Sequence, residues 1–255
     1  MAHGVANADA RFDLIARLAD NKYLLGRRYA EWCSSAPSLE SSVAAAAMAQ
    51  DELGHARALY PLLKTLKPES GVEIEPETRT AFIAFSGLDA AFVGWPEFIA
   101  ANLLLDTAIT EVFRAASDSS FTPLAGRSRK ALLEEHAHRQ HADGWTRRLA
   151  RLNGEVRAAF ESALNALWDE TLMWFGPEGD GDPLAADGTL DTTPDGLRAR
   201  FLEQVGPILA AERLRLPARE TKAGWRLTQA LPWEQWNAET RRFATAPAGL
   251  SASSL

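Results

Sequence analysis

The chain holds a single cysteine, Cys33. One thiol can neither close an internal disulfide nor build a thiolate metal site, so any metal held here must be taken by nitrogen and oxygen donors. Sparse cysteine also fits a reducing compartment, and a cytoplasmic location is expected. No apolar run reaches the ~20 residues that a membrane span needs, so no membrane partner is expected. Residues Met1 to Ala10 lack an apolar signal core, and no export is expected. Positive charge is in deficit: 27 Lys and Arg stand against 34 Asp and Glu, a formal net charge of -7. That balance argues against nucleic acid as the main partner. No flavin, iron–sulfur or nucleotide motif is present, and no strand-like alternation is persuasive.

What is there is enough for one good-sized core. The 255 residues are 46% hydrophobic and 24% charged, ordinary for a soluble globular protein. Alanine is abundant, and glycine and proline fall mostly between apolar stretches, which favours helix. Apolar residues recur at three- and four-residue steps from Ala10 to Ser34 (Phe12, Leu14, Ile15, Leu18, Leu24, Leu25, Trp32), predicting a first helix. Ser38 is a good N-cap for a second helix running to about Lys67, with Pro61 placed to kink it. Its inner face reads Val43, Ala44, Ala47, Met48, Glu52, His55, Leu59 and Leu62. A short helix is expected over Glu77 to Phe85, a third long one from Pro96 to about Ser117, a fourth over Pro123 to Leu152 and a fifth over Arg157 to Phe175. Gly179 to Pro194 reads as an exposed loop, Leu197 to Leu214 as a further helix interrupted at Pro207, and residues 245–255 as a disordered tail. The sum is an all-α chain: a helical bundle with additional C-terminal helices wrapped on it.

Five histidines are present, and four fall in or beside two short segments. One is Asp51-Glu52-Leu53-Gly54-His55; the other is Glu134-Glu135-His136-Ala137-His138, with His141 just beyond. Glu and His three residues apart share a helix face, so both can reach one ion. In dimetal carboxylate bundles two helices each give such a pair, and the other two each add a carboxylate. Imidazole and carboxylate together suit iron and manganese. Equal lengths counted back across the turn near Ser120 place Asp106, set in Leu103-Leu104-Leu105-Asp106, opposite the second pair. An acid in so apolar a run is costly unless it is paired or binds metal. The same count across Ser35-Ala36 lands on Asp20, one helical turn before Tyr23, whereas Glu31 lies too near the hairpin loop. Candidate metal residues are therefore Glu52, His55, Asp106, Glu135, His138 and Asp20, with Glu52 and Glu135 as the carboxylates nearest the chemistry. The competing readings are a solvated surface pair at Glu52/His55, a salt-bridged core acid at Asp106 and an ordinary exposed acid at Asp20. His136 and His141 read as solvent-facing or supporting rather than ligating.

At these residues the chain resembles the phenylacetate-catabolic ferritin-like family, the catalytic and structural subunits of the multicomponent phenylacetyl-CoA epoxidase. The likeness runs through Arg17 to Asn21, Glu31-Trp32-Cys33, Ala36 to Glu40, Gln50 to Arg57, Asp106, Glu134 to Trp145 and Ala163 to Trp168. It implies a single ferritin-like domain over 1–255, with the bundle core and added helices at about 8–215. The layout is nearest the structural subunit, which usually lacks the first Glu-x-x-His; Glu52/His55 resembles the catalytic one. The catalytic subunit's first-helix glutamate falls at about Tyr23, which is no carboxylate. Either Asp20 moves in, or one metal position is under-coordinated.

Three functions follow from the resemblance. The first is a non-haem oxygenase, with two iron ions expected and one ion or manganese as the alternatives. It would epoxidise or hydroxylate an aromatic small molecule or CoA thioester, with a separate reductase supplying electrons. The second is a non-catalytic member of such an assembly, either a homodimer or the partner of a homologous chain, in which the Glu and His residues form a buried salt-bridge network. The third is a metal-dependent oxidase working alone.

Overall fold

The computed structural model describes residues 2–152, 154–177, 179 and 182–244. The long helices come where periodicity puts them, except that the first begins at Ala2 and ends at Ala30 rather than running from Ala10 to Ser34. Helix α1 spans Ala2–Ala30, α2 Leu39–Leu66, α5 Thr122–Arg151 and α6 Glu155–Trp174. The expected third helix is present in three pieces: α3 Trp95–Ala101, a π-helical turn Asn102–Asp106, and α4 Thr107–Ala115. The short α7 (Pro183–Ala186) and α8 (Pro194–Ala211) follow. The architecture is an all-α helical bundle, as expected.

Local chemistry sets these boundaries. Ser38 caps α2 by accepting from the Ser41 N–H, and Glu40 in the first turn favours the positive end of the helix. Pro123 opens α5 and Pro194 opens α8, where a missing N–H costs nothing. Pro61 and Pro207 are both carried inside their helices, so neither ends one.

α1 and α2 form a tight antiparallel hairpin. A Cβ at Gly26 would lie 2.8 Å from Leu53 Cγ and 3.1 Å from Glu52 Cβ. Glycine there lets the two backbones close up beside Glu52. α4 and α5 form the second hairpin, and α2 packs on α5. Trp32, Trp95, Phe98 and Trp145 stack at one end, with the Trp95 and Phe98 centroids 4.4 Å apart.

Five expectations are corrected. Val43 and Ala47 face solvent; the inner stripe of α2 runs instead through Ala45, Met48, Ala49, Glu52, His55, Ala56 and Leu59. Glu77 to Phe85 makes no α-helix, only a 3-10 turn at Pro76–Thr78, because the segment has to stay extended to hydrogen-bond α1. The loop before Pro194 is partly packed, with Leu184, Thr189 and Leu190 buried, since apolar side chains alternate with its aspartates. The third helix is broken in phase by the π turn. Two small antiparallel sheets also form: β1 (Ala218–Thr221) with β2 (Gly224–Leu227), and β3 (Trp236–Asn237) with β4 (Arg242–Phe243). Trp225 is buried against Gly206 of α8 and Trp233 lies under Arg198, so these aromatics pack back on the bundle. The expected tail, 245–255, lies outside the described residues. No described helix is long and apolar enough to cross a membrane.

Candidate metal centre and its resident lysine

Five of the six expected residues meet in the bundle's middle. α2 supplies Glu52 and His55, the π turn supplies Asp106, and α5 supplies Glu135 and His138. Glu52 is fully buried, and Asp106, Glu135 and His138 are nearly so. One donor atom from each of Glu52, Asp106, Glu135 and His138 falls within 4.8 Å of the others. The surface-pair reading of Glu52/His55 is thereby excluded.

The sixth residue is elsewhere. Asp20 is buried, not exposed, but it faces away from the cluster. Its Oδ1 accepts from Tyr60 Oη at 2.8 Å; its Oδ2 accepts from Arg79 Nη2 and the Ile83 N–H, each at 2.8 Å. Those bonds tie α1 to α2 and to the segment after it. Tyr23, the neighbouring candidate position, stacks on Phe82. Neither brings a first-helix carboxylate to the cluster.

What the first helix brings is Lys22. Its Nζ lies 2.6 Å from Glu135 Oε1, 2.7 Å from Asp106 Oδ1, and 2.9 Å from both oxygens of Glu52. Lys22 is fully buried. An ammonium offers three N–H donors, and three carboxylates surround this one. Burial alone would lower the Lys22 pKa, but Asp106, Glu135 and Glu52 outweigh it and hold the amine charged, well above its usual range.

His138 is the second cation. Its Nδ1 is 3.0 Å from Asp106 Oδ2 and 3.2 Å from Glu52 Oε1, and its Nε2 is 3.3 Å from Asp51 Oδ2. Burial disfavours the charged ring, but the hydrogen bond and charge of Asp106 prevail and raise its pKa far above the usual value. Burial likewise works against Asp106 ionising, and Lys22 and His138 overcome it, holding that carboxyl well below the usual range. Glu52 goes the other way: burial first, then the Asp106 charge, push it up to about 7 against the pull of Lys22. His55 faces Glu134 across 2.6 Å from Nε2 and Glu135 across 3.4 Å from Nδ1. Burial opposes its protonation, but the nearby Glu135 and Glu52 carboxylates raise its pKa.

Other contacts fix the carboxylates. Thr110 Oγ1 donates to Glu135 Oε2 at 2.9 Å, and Asn102 Nδ2 donates to Asp106 Oδ2 at 3.3 Å. His141 Nδ1 lies 2.9 Å from Asn102 Oδ1, so His141 supports the cluster at one remove, and His136 faces solvent, as expected of each. A cavity of about 240 Å³ reaches Asp106, Glu135 and His138 past Thr110 and Glu111. A second, also about 240 Å³, reaches His55 between α2 and α5, past Asp51 and Glu134.

The donor set is of the kind iron and manganese take. The arrangement nonetheless does not fit a metal pair. The ammonium stands within hydrogen-bond distance of all three carboxylates, in the volume an ion would need, and no first-helix carboxylate completes a second position. Lys22 was the residue missed from sequence. Its signal was present: Ile15, Leu18, Lys22, Leu25 and Tyr29 step by three and four along one buried face, so a charge sits in an apolar stripe.

A pH dependence follows. His138, His55 and Glu52 all hold protons in the folded state that the unfolded chain releases at lower pH. Where the native state binds more protons, stability falls as pH rises. Asp106 contributes the opposite slope only below the usual carboxylate range, and His141, which burial lowers to about 4, contributes it up to the usual histidine range, where it offsets one of the three. The melting temperature is expected to drop steadily from about pH 6 to about pH 9, a span above the unfolded pKa values of the acids. Thermal melts followed by circular dichroism check this, and a profile that rises through that span contradicts it.

Comparison with known sequences agrees with this layout. A profile of the family described as "Phenylacetic acid catabolic protein" matches residues 2–229. The C subunit of 1,2-phenylacetyl-CoA epoxidase from Escherichia coli (strain K12) is 28% identical over 207 residues, covering 80% of this chain and 83% of that one. The A subunit of the same enzyme is 25% identical over 215 residues, covering 81% of this chain and 69% of that one.

Proposed function

The chain belongs to the phenylacetic acid catabolic protein family, and from that premise we propose that it is a structural subunit of a phenylacetyl-CoA-epoxidase-type oxygenase. In that role it pairs with a homologous metal-carrying chain, which acts on a CoA thioester with electrons from a separate reductase. One observation carries the reading: Lys22 Nζ stands between Glu52, Asp106 and Glu135 and places a positive charge among them without metal. Three carboxylates facing an ammonium and an imidazolium make a self-contained core network. Such a network holds helices in one register, a structural role that needs no ion.

Both Glu-x-x-His pairs are intact, and a cavity leads to Asp106, Glu135 and His138. That favours, as a second reading, an iron-dependent oxygenase in which Lys22 withdraws and Glu52, His55, Asp106, Glu135 and His138 become ligands. The two readings separate on purified protein. The chain is expressed with iron supplementation, alone and together with a homologous chain that retains a first-helix glutamate. Substoichiometric iron in the chain alone and a stable heteromeric complex are expected. Two ions per chain, with substrate-dependent dioxygen uptake by the chain alone and its reductase, would replace the proposal with the second reading.

A further inference from the structure

Four carboxylate oxygens lie 2.6–2.9 Å from Lys22 Nζ: both of Glu52, one of Asp106 and one of Glu135. Three N–H donors cannot give each of four oxygens a bond of its own, and Glu52 Oε2, 2.9 Å from Nζ, is the one left without although Glu52 is fully buried. His55 Nδ1, on a side chain only 6% exposed, is also without one. Buried acceptors and ring nitrogens are rarely left this way unless a strain or an ion accounts for them. The shell around Lys22 therefore has more oxygen than an ammonium can use, in a volume where four donor residues can reach a common point.

We infer that this cluster is a latent single-ion site, which Lys22 alone keeps closed to divalent metal. Glu52, Asp106, Glu135 and His138 are the ligands, and His55 is held beside them by Glu134. Their mutual spacing, within 4.8 Å, lets one donor atom from each residue meet at a single ion. Lys22 comes from α1, whereas every ligand comes from α2, the π turn or α5. Removing its ammonium thus opens the site without deleting a donor. A hard or borderline divalent cation such as Mn²⁺ or Zn²⁺ suits three carboxylates and an imidazole. The ion replaces one positive charge by two among the same oxygens. The inference rests on the metal-free reading of the native chain, and adds that the metal-free state depends on one side chain.

The test uses the full-length chain, the Lys22→Ala, Lys22→Glu and Lys22→Arg variants, and the Lys22→Ala/Glu52→Gln double variant. Each is titrated with Mn²⁺ alone by calorimetry and melted with and without it. The native chain and Lys22→Arg are expected to show no saturable binding. Lys22→Ala is expected to bind one Mn²⁺ per chain at least about 100-fold more tightly, the scale on which ligand environment governs metal affinity, and to regain its lost thermal stability. The double variant is expected to lose that gain. Lys22→Glu covers the case in which Lys22→Ala does not fold, because its carboxylate puts a fourth acid in the site and makes folding follow the ion. The inference is overturned if folded Lys22→Ala or Lys22→Glu binds no ion or two. It is also overturned if neither variant regains native circular dichroism with Mn²⁺, or if the native chain binds as tightly as Lys22→Ala. Of these results, only metal in the native chain also removes the structural-subunit reading.

Discussion

Lys22→Met is expected to destabilise the fold by about 3–5 kcal/mol, the cost of taking one partner out of a buried ion network. In a chain of this length that lowers the melting temperature by about 10 °C. Methionine keeps most of the apolar stem, so the loss reads the charge rather than a cavity. The mechanism is specific. Glu52, Asp106 and Glu135 would stay buried with only the His138 and His55 imidazoles as nearby cations, and they would take up protons to compensate. The penalty should therefore be smaller at acid pH than at alkaline pH. Adding Glu52→Gln and Asp106→Asn to Lys22→Met removes the unpaired charge and should recover a large part of the loss. Chemical denaturation of the three proteins at two pH values is the measurement. A loss below about 1 kcal/mol, the size of an exposed pair, would mean that the ammonium is not the counter-charge of this core.

Asp20→Ala should cost about 3 kcal/mol or more, for a different reason. It removes one acceptor shared by three donors: Tyr60 Oη, Arg79 Nη2 and the Ile83 N–H. Arg79 is itself largely buried, so its guanidinium would be left without its carboxylate. The damage should centre on residues 76–88, the segment Asp20 ties to α1, and hydrogen exchange there should rise before the helices open. If exchange rises uniformly across the bundle, Asp20 is not the local tie described here.

The two charged residues on this stretch of α1, Asp20 and Lys22, show what the sequence could and could not tell. Helix positions followed from periodicity, from Ser38 and from proline placement, because those signals are local. Asp106, Glu52/His55 and Glu135/His138 were legible because a carboxylate or imidazole on an apolar stripe has few affordable explanations. Asp20 was drawn toward the cluster by counting along a hairpin. A count gives height along the bundle but not the direction in which a side chain faces. Two residues on, Lys22 turns by about 200° of helix from Asp20, and that rotation separates the Arg79 network from the carboxylate cluster. Lys22 is harder to read, because ligand chemistry points to acids and histidines, whereas the charge balance of a buried site also depends on the bases. The sheets near the C-terminus were invisible because strands of two to four residues carry no readable alternation.

The π turn at Asn102–Asp106 holds one more consequence. A single residue added to a helix advances every later side chain by about 100° around the axis. Upstream, Trp95 and Phe98 keep their place in the aromatic stack; downstream, Thr110 still reaches Glu135. The extra residue works as a phase shifter between these two packing surfaces. Removing one residue from this turn would rotate Asp106 by about 100° relative to the upstream helix, away from Lys22 and His138. The acidity of this site is thus written partly in helix phase, a quantity that an alignment records as a gap and not as a substitution.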